Sequence, residues 1–402
     1  MLSSLQMIFE RLFNNTSMVH HRYLYHQFDL KNRLTGLIGA RGVGKTTLLL
    51  QLIKQHYPDL KHVFYFSADH IYFKEKTLYG FIEELYLQQA VTSFFIDEIH
   101  KYENWNQELK NIYDGFPEVK IVFSGSSSLD LIKGSYDLSR RAVMYHLPGL
   151  SFREYLNFSF NTDYESYSFS ELMQNYTQIS KDISARPGLL GHFHGYLKKG
   201  FYPFLAEDSL SYYQKLLQVI EKTIYEDISN FYSLRTTNLR VMSKILNYLA
   251  SIPPGEISTY NLGKNLKIDD KTAASYLNML QETGLIQLIY PRETGNQGLR
   301  KAEKVFLSNT NFQYALGSHL ARDVEIGTIR ELAFIQATRN SGLDVFHSKQ
   351  GDYQIGQFMF EIGGRNKTRK QIAGLEQAFI VKDDTVTATH EMIPLVFFGF
   401  LY

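Results

Sequence analysis

For its first 150 residues the chain alternates short apolar runs with stretches of helical periodicity. Leu34-Thr35-Gly36-Leu37-Ile38, Val63-Phe64-Tyr65-Phe66, Ser93-Phe94-Phe95-Ile96 and Lys120-Ile121-Val122-Phe123 have strand length and few polar residues. Between the first two, Leu48, Leu49, Leu52 and Ile53 recur at helical spacing from Thr46 to Tyr57, just ahead of Pro58, and Leu78 to Val91 is again helical. Leu5, Ile8, Phe9 and Leu12 predict a leading helix, and Tyr23-Leu24-Tyr25 an edge strand. Uniformly apolar strands separated by helices predict an α/β domain around a parallel sheet covered on both faces.

The pattern changes at about residue 157. From Asn157 to about Asn238 the chain is polar, Tyr-rich and helical in period, with a break at Gly200-Phe201-Tyr202-Pro203. Val241 to Ala250 follows as an amphipathic helix with Val241, Ile245, Tyr248 and Leu249 on one face, then a short helix from Ser258 to Leu266 and a third from Asp269 to Thr283, ending at Gly284. With the strand Leu285 to Tyr290 this is the succession of a winged helix-turn-helix. The last hundred residues alternate again: strands at 304–307, 343–346, 354–355, 357–362, 378–381 and 394–401, with a helix from Gly327 to Ala337. The apolar end, Ile393 to Tyr402, reads as a terminal strand docked in a core.

Composition narrows the classes. At 402 residues, 44% of them apolar, the chain exceeds one ordinary domain. Lys plus Arg number 42 against 41 acidic residues, so a formal charge of +1 gives no global pull toward nucleic acid or anionic membrane, and any such binding is local. There is no cysteine, which excludes disulfides and thiolate zinc or iron–sulfur sites and fits a reducing compartment. No stretch has the length of a membrane span and Met1 to Glu10 lacks the layout of a signal peptide, so a cytoplasmic protein is expected.

The chemistry begins at Gly39-Ala40-Arg41-Gly42-Val43-Gly44-Lys45-Thr46, which fills G-x-x-x-x-G-K-[ST] and is followed by Thr47. An apolar strand enters it and a helix leaves it, so backbone N–H groups and a helix N-terminus converge on one anion. In such a loop Lys45 reaches the β- and γ-phosphates of ATP, the Thr46 hydroxyl is a Mg²⁺ ligand, and Thr47 faces the α-phosphate. About fifty residues on, the strand at Ser93 ends in Asp97-Glu98. Asp97 is a candidate Mg²⁺ ligand and Glu98 the base that polarises a water; the alternative is a strand that ends in solvated acids. A strand-helix pair between Lys45 and Asp97 is the layout of NTPases with an extra central strand. The next strand ends in Ser124-Gly125-Ser126-Ser127-Ser128, whose hydroxyls either sense the γ-phosphate or form a Ser-rich turn.

Taken together, GARGVGKTTLL, FFIDEI with Trp105 shortly after, IVFSGSSS, Leu138-Ser139-Arg140-Arg141 and PGLSFREYL (Pro148 to Leu156) resemble prokaryotic AAA-type ATPases that carry a C-terminal domain of unknown function, and the resemblance runs to the C-terminus. By that resemblance Arg141 completes a nucleotide site in cis or in trans, although Arg140 stands where the family has glycine; a helix-surface arginine is the alternative. The 157–237 region is by resemblance a lid or connector.

Two further sets are less specific. Lys271, Thr272, Ser275 and Asn278 lie on the polar side of the presumed recognition helix, near Lys244, Lys264, Lys267, Arg240 and Arg292, and suit either DNA or a protein partner. Glu331, Asp352 and Glu361 resemble the carboxylates of a restriction-endonuclease-like core, but the lysine of Glu-x-Lys is replaced by Gly363, with Arg365 and Lys367 the nearest cations.

The expected organisation is an AAA-type P-loop domain (1–156), a helical connector (157–237), a winged helix (238–295) and an α/β nuclease-like domain (296–402). The expected function is an ATPase acting as a nucleotide-dependent switch on DNA or a protein, with ATP and Mg²⁺ bound, oligomerisation open and nuclease activity not expected. A DNA-binding regulator without hydrolysis and an ATP-regulated, metal-dependent nuclease remain as alternatives.

Overall fold

The computed structural model describes residues 2–126, 138, 140–184, 186–254, 259–292 and 304–402. Ser127, Ser128 and Ser139 lie outside them. The chain divides into two units, Met1–Gly149 and Leu150–Tyr402.

In the first unit five strands form one parallel sheet: β1 (Leu34–Ile38), β2 (Val63–Ser67), β3 (Ser93–Asp97), β4 (Lys120–Gly125) and β5 (Ala142–His146), in the order β2-β3-β4-β1-β5. Helices α1 (Leu2–Asn15), α2 (Lys45–His56), α3 (Leu78–Gln89) and α4 (Trp105–Gly115) accompany it. Every residue of β1 and β3 is buried, as expected for central parallel strands with both faces covered. Leu34, Phe64, Phe94, Ile96, Ile121 and Phe123 meet Phe81, Leu85, Leu109 and Ile112 in one core, each such side chain contributing about 1.5–3 kcal/mol by leaving water. Because β4 lies between β1 and β3, its end stands between the P-loop and Asp97, with Leu37 opposite Ser124 and Ile96 opposite Phe123.

Tyr23-Leu24-Tyr25 is not an edge strand. It lies in a 3-10 turn, Tyr23–His26, in which the adjacent Leu24 and Tyr25 are both buried, whereas a strand would send them to opposite faces. The buried Arg22 guanidinium braces this turn, donating to the carbonyls of Val43 in the P-loop, Pro148 (2.7 Å) and Gly149 (2.9 Å).

The second unit begins with α5 (Phe152–Phe160), started by a capping box of Ser151 and Glu154, then α6 (Phe169–Ser184), α7 (Leu189–Lys199) and α8 (Tyr212–Lys222). The last continues through a π-helical stretch, Thr223–Ile228, into a short helix, Ser229–Tyr232. Three helices follow, α9 (Thr236–Leu249), α10 (Thr259–Leu266) and α11 (Asp270–Glu282), then an antiparallel pair, β6 (Ile286–Ile289) and β7 (Lys304–Leu307). After α12 (Thr310–His319) and α13 (Ile326–Asn340) come β8 (Phe346–His347), β9 (Tyr353–Ile355), β10 (Phe358–Gly363), β11 (Ala378–Lys382) and β12 (Met392–Pro394), forming a mixed sheet in the order β12-β11-β10-β9-β8.

The hydrophobic core of this unit joins segments far apart in the chain: Phe152, Leu156, Leu172 and Phe193 pack with Phe334, Phe360, Val381 and Phe397. Helices in the 157–237 region therefore share their core with the sheet of the 296–402 region. The strand at 304–307 pairs with β6, Ile286 opposite Leu307, and not with the C-terminal sheet. The terminal strand expected over 394–401 is instead β12 followed by one helical turn, α14 (Leu395–Phe398). Leu395, Val396, Phe397 and Phe398 are all buried there, a run that turns every side chain inward without alternation.

Candidate nucleotide site

The P-loop joins β1 to α2. Gly42 (φ 82°) and Gly44 (φ 96°) take left-handed backbone, which L side chains rarely adopt, and a Cβ at Gly39 would collide with the Leu147 carbonyl. The loop thus presents bare backbone, Gly39-Ala40-Arg41-Gly42-Val43-Gly44, ahead of Lys45, Thr46 and Thr47 in the first turn of α2. Lys45 is 5% exposed, and its Nζ donates to the carbonyls of Gly39 (2.8 Å) and Ala40 (3.1 Å), within the loop it would serve.

Across from it, Asp97 ends β3 at 3% exposure. An isolated carboxylate at that depth would be costly, and it is met by donors from three elements: Thr46 Oγ1 (2.5 Å), Tyr65 OH (3.1 Å), Ser124 Oγ and the backbone N–H of Glu98 (3.0 Å). Burial first, then Asp97, push the Tyr65 phenol far above its ordinary value, so it stays an O–H donor. The hydroxyl of Thr46 and the carboxylate of Asp97 are hard oxygen donors facing each other, a pair that suits Mg²⁺.

Glu98 takes left-handed backbone (φ 50°, ψ 39°), which turns it out of the strand line. Burial raises its carboxyl pKa; Lys45 and Arg41 oppose that shift, while Asp97 and Asp69 add to it. Its Oε2 lies 3.3 Å from Ser126 Oγ and 3.5 Å from His100 Nδ1.

The structure therefore brings together Lys45, Thr46, Asp97, Glu98, Ser124 and Ser126 at the C-terminal ends of β1, β3 and β4, where open α/β sheets place their ligands. Arg141 is not among them. It precedes β5, which runs parallel to β1, and so stands at the opposite edge of the sheet, paired through two nitrogens with Asp114 (3.1 and 3.0 Å). A place in this chain's own nucleotide site is excluded by that position. Sequence reasoning passed over Tyr65, whose signal was its period-2 relation to the end of β2, where Ser67 stands opposite Asp97, and His100, two residues past the candidate base.

The three candidate carboxylates of the C-terminal region, Glu331 on α13, Asp352 and Glu361, do not form a three-ligand group among the described residues, and each faces a cation. Lys304 Nζ lies 2.6 Å from Glu331 Oε2 and 3.6 Å from Asp352 Oδ1, and Lys367 Nζ lies 2.5 Å from Glu361 Oε1. The direction of Lys367 was illegible in the sequence. Its stem covers Gly363, where an added Cβ would meet Lys367 carbons at 2.5–2.7 Å.

Comparison with known proteins agrees with the first unit's geometry. Residues 31–156 match the AAA_14 family, described as an AAA domain, and residues 190–320 match a domain of unknown function, DUF8612. Two uncharacterized proteins of Methanocaldococcus jannaschii are similar. MJ1637 is 32% identical over 290 residues, covering 68% of this chain and 60% of that protein; MJ1544 is 24% identical over 367 residues, covering 85% and 75%. Among solved structures, the replication initiator DnaA bound to AMPPCP and single-stranded DNA has 17% identity and TM-score 0.27, covering 69% of this chain and 86% of that one. An S. cerevisiae Hsp104–ADP complex has 14% identity and TM-score 0.28, covering 69% and 39%. Such TM-scores carry no functional argument. The family match and the loop together identify an AAA-type P-loop domain in residues 31–156.

Proposed function

We propose that the protein is an ATPase that works as a nucleotide-dependent switch. The observation that carries this is the convergence of the Gly39–Thr47 loop with Asp97 and Glu98, Thr46 Oγ1 lying 2.5 Å from Asp97 Oδ2. In this reading the backbone N–H groups of residues 42–47 hold the phosphates, and Lys45 exchanges its two loop carbonyls for phosphate oxygens. Thr46 and Asp97 would hold a Mg²⁺ ion, which when bound would supply positive charge near the phosphates. Glu98, made more basic by burial, takes a proton from the attacking water. Tyr65 and Ser124 keep Asp97 in place.

Lys45→Ala is expected to abolish ATP binding, and Glu98→Gln to leave binding intact while hydrolysis falls about a hundredfold or more. Nucleotide affinity by calorimetry and phosphate release check both; a Glu98→Gln variant that hydrolyses ATP like the parent removes Glu98 from the role of base.

As to what is switched, the three helices and antiparallel pair at residues 236–307 support a winged-helix reading with DNA as partner. Asp269 caps α11 by accepting from the N–H groups of Lys271 and Thr272 (both 3.0 Å), and Lys271, Ser275 and Asn278 are exposed along one face while Ala273, Tyr276, Leu277 and Leu280 are buried. Thr272 is less available than expected, its hydroxyl donating to Asp269 at 2.5 Å.

A further inference from the structure

We propose that His100 is the positioning residue of Glu98, acting through Ser126, whose hydroxyl donates to the base while His100 Nε2 fixes that hydroxyl. The inference rests on the ATPase reading. Three rotatable bonds separate the Glu98 carboxylate from its backbone, so nothing in its own turn fixes where the oxygens point; neighbours must.

The local chain supplies them. The N–H of Lys101 donates to the carbonyl of Glu98 (2.9 Å) and that of Tyr102 to Ile99 (3.0 Å), closing a tight turn, Ile99–Lys101, anchored by the fully buried Ile99. The turn carries the His100 ring back beside the strand end, where its side chain is 2% exposed against 28% for Glu98. Nδ1 then lies 3.5 Å from Glu98 Oε2, Nε2 lies 3.3 Å from Ser126 Oγ, and Ser126 Oγ lies 3.3 Å from the same carboxylate oxygen. These spacings are long for hydrogen bonds, as those around a catalytic base often are before the reacting complex tightens them.

The two hydrogen bonds form a relay from His100 through Ser126 to Glu98, separate from the Thr46–Asp97–Ser124 set that serves the metal ligand. Glu98 Oε2 can only accept. The Ser126 hydroxyl has one proton and donates it to Oε2, so the tautomer with its proton on Nε2 donates to Ser126 Oγ and fixes the hydroxyl that holds the carboxylate, while Nδ1 makes no hydrogen bond to Oε2. A histidine that merely fills space would not need Nε2 so placed. What distinguishes the two roles is which nitrogen matters: an asparagine side-chain amide extends about as far as Nδ1, a glutamine amide about as far as Nε2.

The experiment uses the full chain and measures kcat for ATP hydrolysis, nucleotide affinity and melting temperature for the parent and for His100→Ala, His100→Asn and His100→Gln. Expected are a fall in kcat of about 10-fold to 100-fold in His100→Ala with affinity within about twofold, recovery to within about fivefold of the parent in His100→Gln, and no recovery in His100→Asn. In a Glu98→Gln background, His100→Ala should add no further loss, since both act through one group. Parent-like kcat in His100→Ala, Asn and Gln variants equally slow, or recovery in His100→Asn alone overturns the inference while leaving the ATPase reading standing. Should His100→Ala fail to fold, the Asn and Gln pair decides alone. A parent that releases no phosphate, or a Glu98→Gln variant as fast as the parent, instead removes the reading on which the inference rests.

Discussion

Asp97 and Glu361 are both buried carboxylates at strand positions in sheets, yet their surroundings assign them different work. Asp97, 3% exposed, is held by neutral donors, the hydroxyls of Thr46, Tyr65 and Ser124, which leave its charge uncancelled and available to a cation. Glu361, with 0% exposure, has the Lys367 ammonium at 2.5 Å; burial raises its pKa, and Lys367 works against that shift. A divalent ion entering beside Glu361 must therefore compete with the Lys367 ammonium for the same carboxylate. Lys304, set between Glu331 and Asp352, repeats the obstacle. Accordingly the purified protein should leave single- and double-stranded DNA and RNA intact in Mg²⁺ or Mn²⁺; cleavage that disappears in Glu361→Gln would show that the lysines yield to metal.

Elements far apart in the chain are clipped together in the second unit by His194 on α7, Arg330 on α13 and the Asp383-Asp384 pair just after β11. His194 Nε2 lies 3.2 Å from Asp383 and 3.5 Å from Asp384, and Arg330 lies 3.0 and 3.2 Å from the same two residues. The hydrogen bond to Asp383 raises the His194 pKa above 6.5 against burial and Lys198, while His194, the Asp384 N–H and Arg330 outweigh burial to hold Asp383 below 3.8. A raised histidine contributes stability that is complete below its unfolded value and lost as pH climbs through the folded one; a depressed aspartate contributes stability that is lost as pH falls through its folded value. The clip is therefore strongest between about pH 4 and pH 6.5. His194→Ala should lower the melting temperature of the protein most near pH 5.5 and least near pH 9, measured by thermal denaturation at a series of ~pH values. An equal loss at both ends would mean that His194 acts by packing. Since His194 is 42% exposed, solvent screens the pair and the effect should be small. Elements were legible where periodicity and length agreed, as in α9 and α11, and illegible where an apolar run was too uniform to carry a period: Leu395–Phe398 is helical and Tyr23–His26 a 3-10 turn.

Over the whole molecule, a formal charge of +1 means that any DNA binding is driven by a local patch and not by the field of the protein. Binding through α11 should weaken steeply with salt and drop further when Lys267 and Lys271 are both changed to Ala; titrations of duplex DNA at two ionic strengths test this, and salt-independent or absent binding at low ionic strength would favour a protein partner. No helix among the described residues is long and apolar enough to cross a membrane. The sequence by itself determined the phosphate loop, the pair Asp97-Glu98 and the parallel order of strands and helices around them, because a loop motif and an apolar period are local properties written in consecutive residues. Only the tertiary structure decided what depends on residues distant in the chain: that Tyr65 and Ser124 hold Asp97, that Arg141 stands at the wrong edge of the sheet, that Lys367 covers Gly363, and that Phe152 shares a core with Phe397. Those pairings come from strand order and side-chain direction, which emerge when burial brings separate segments together and which no window along the chain contains.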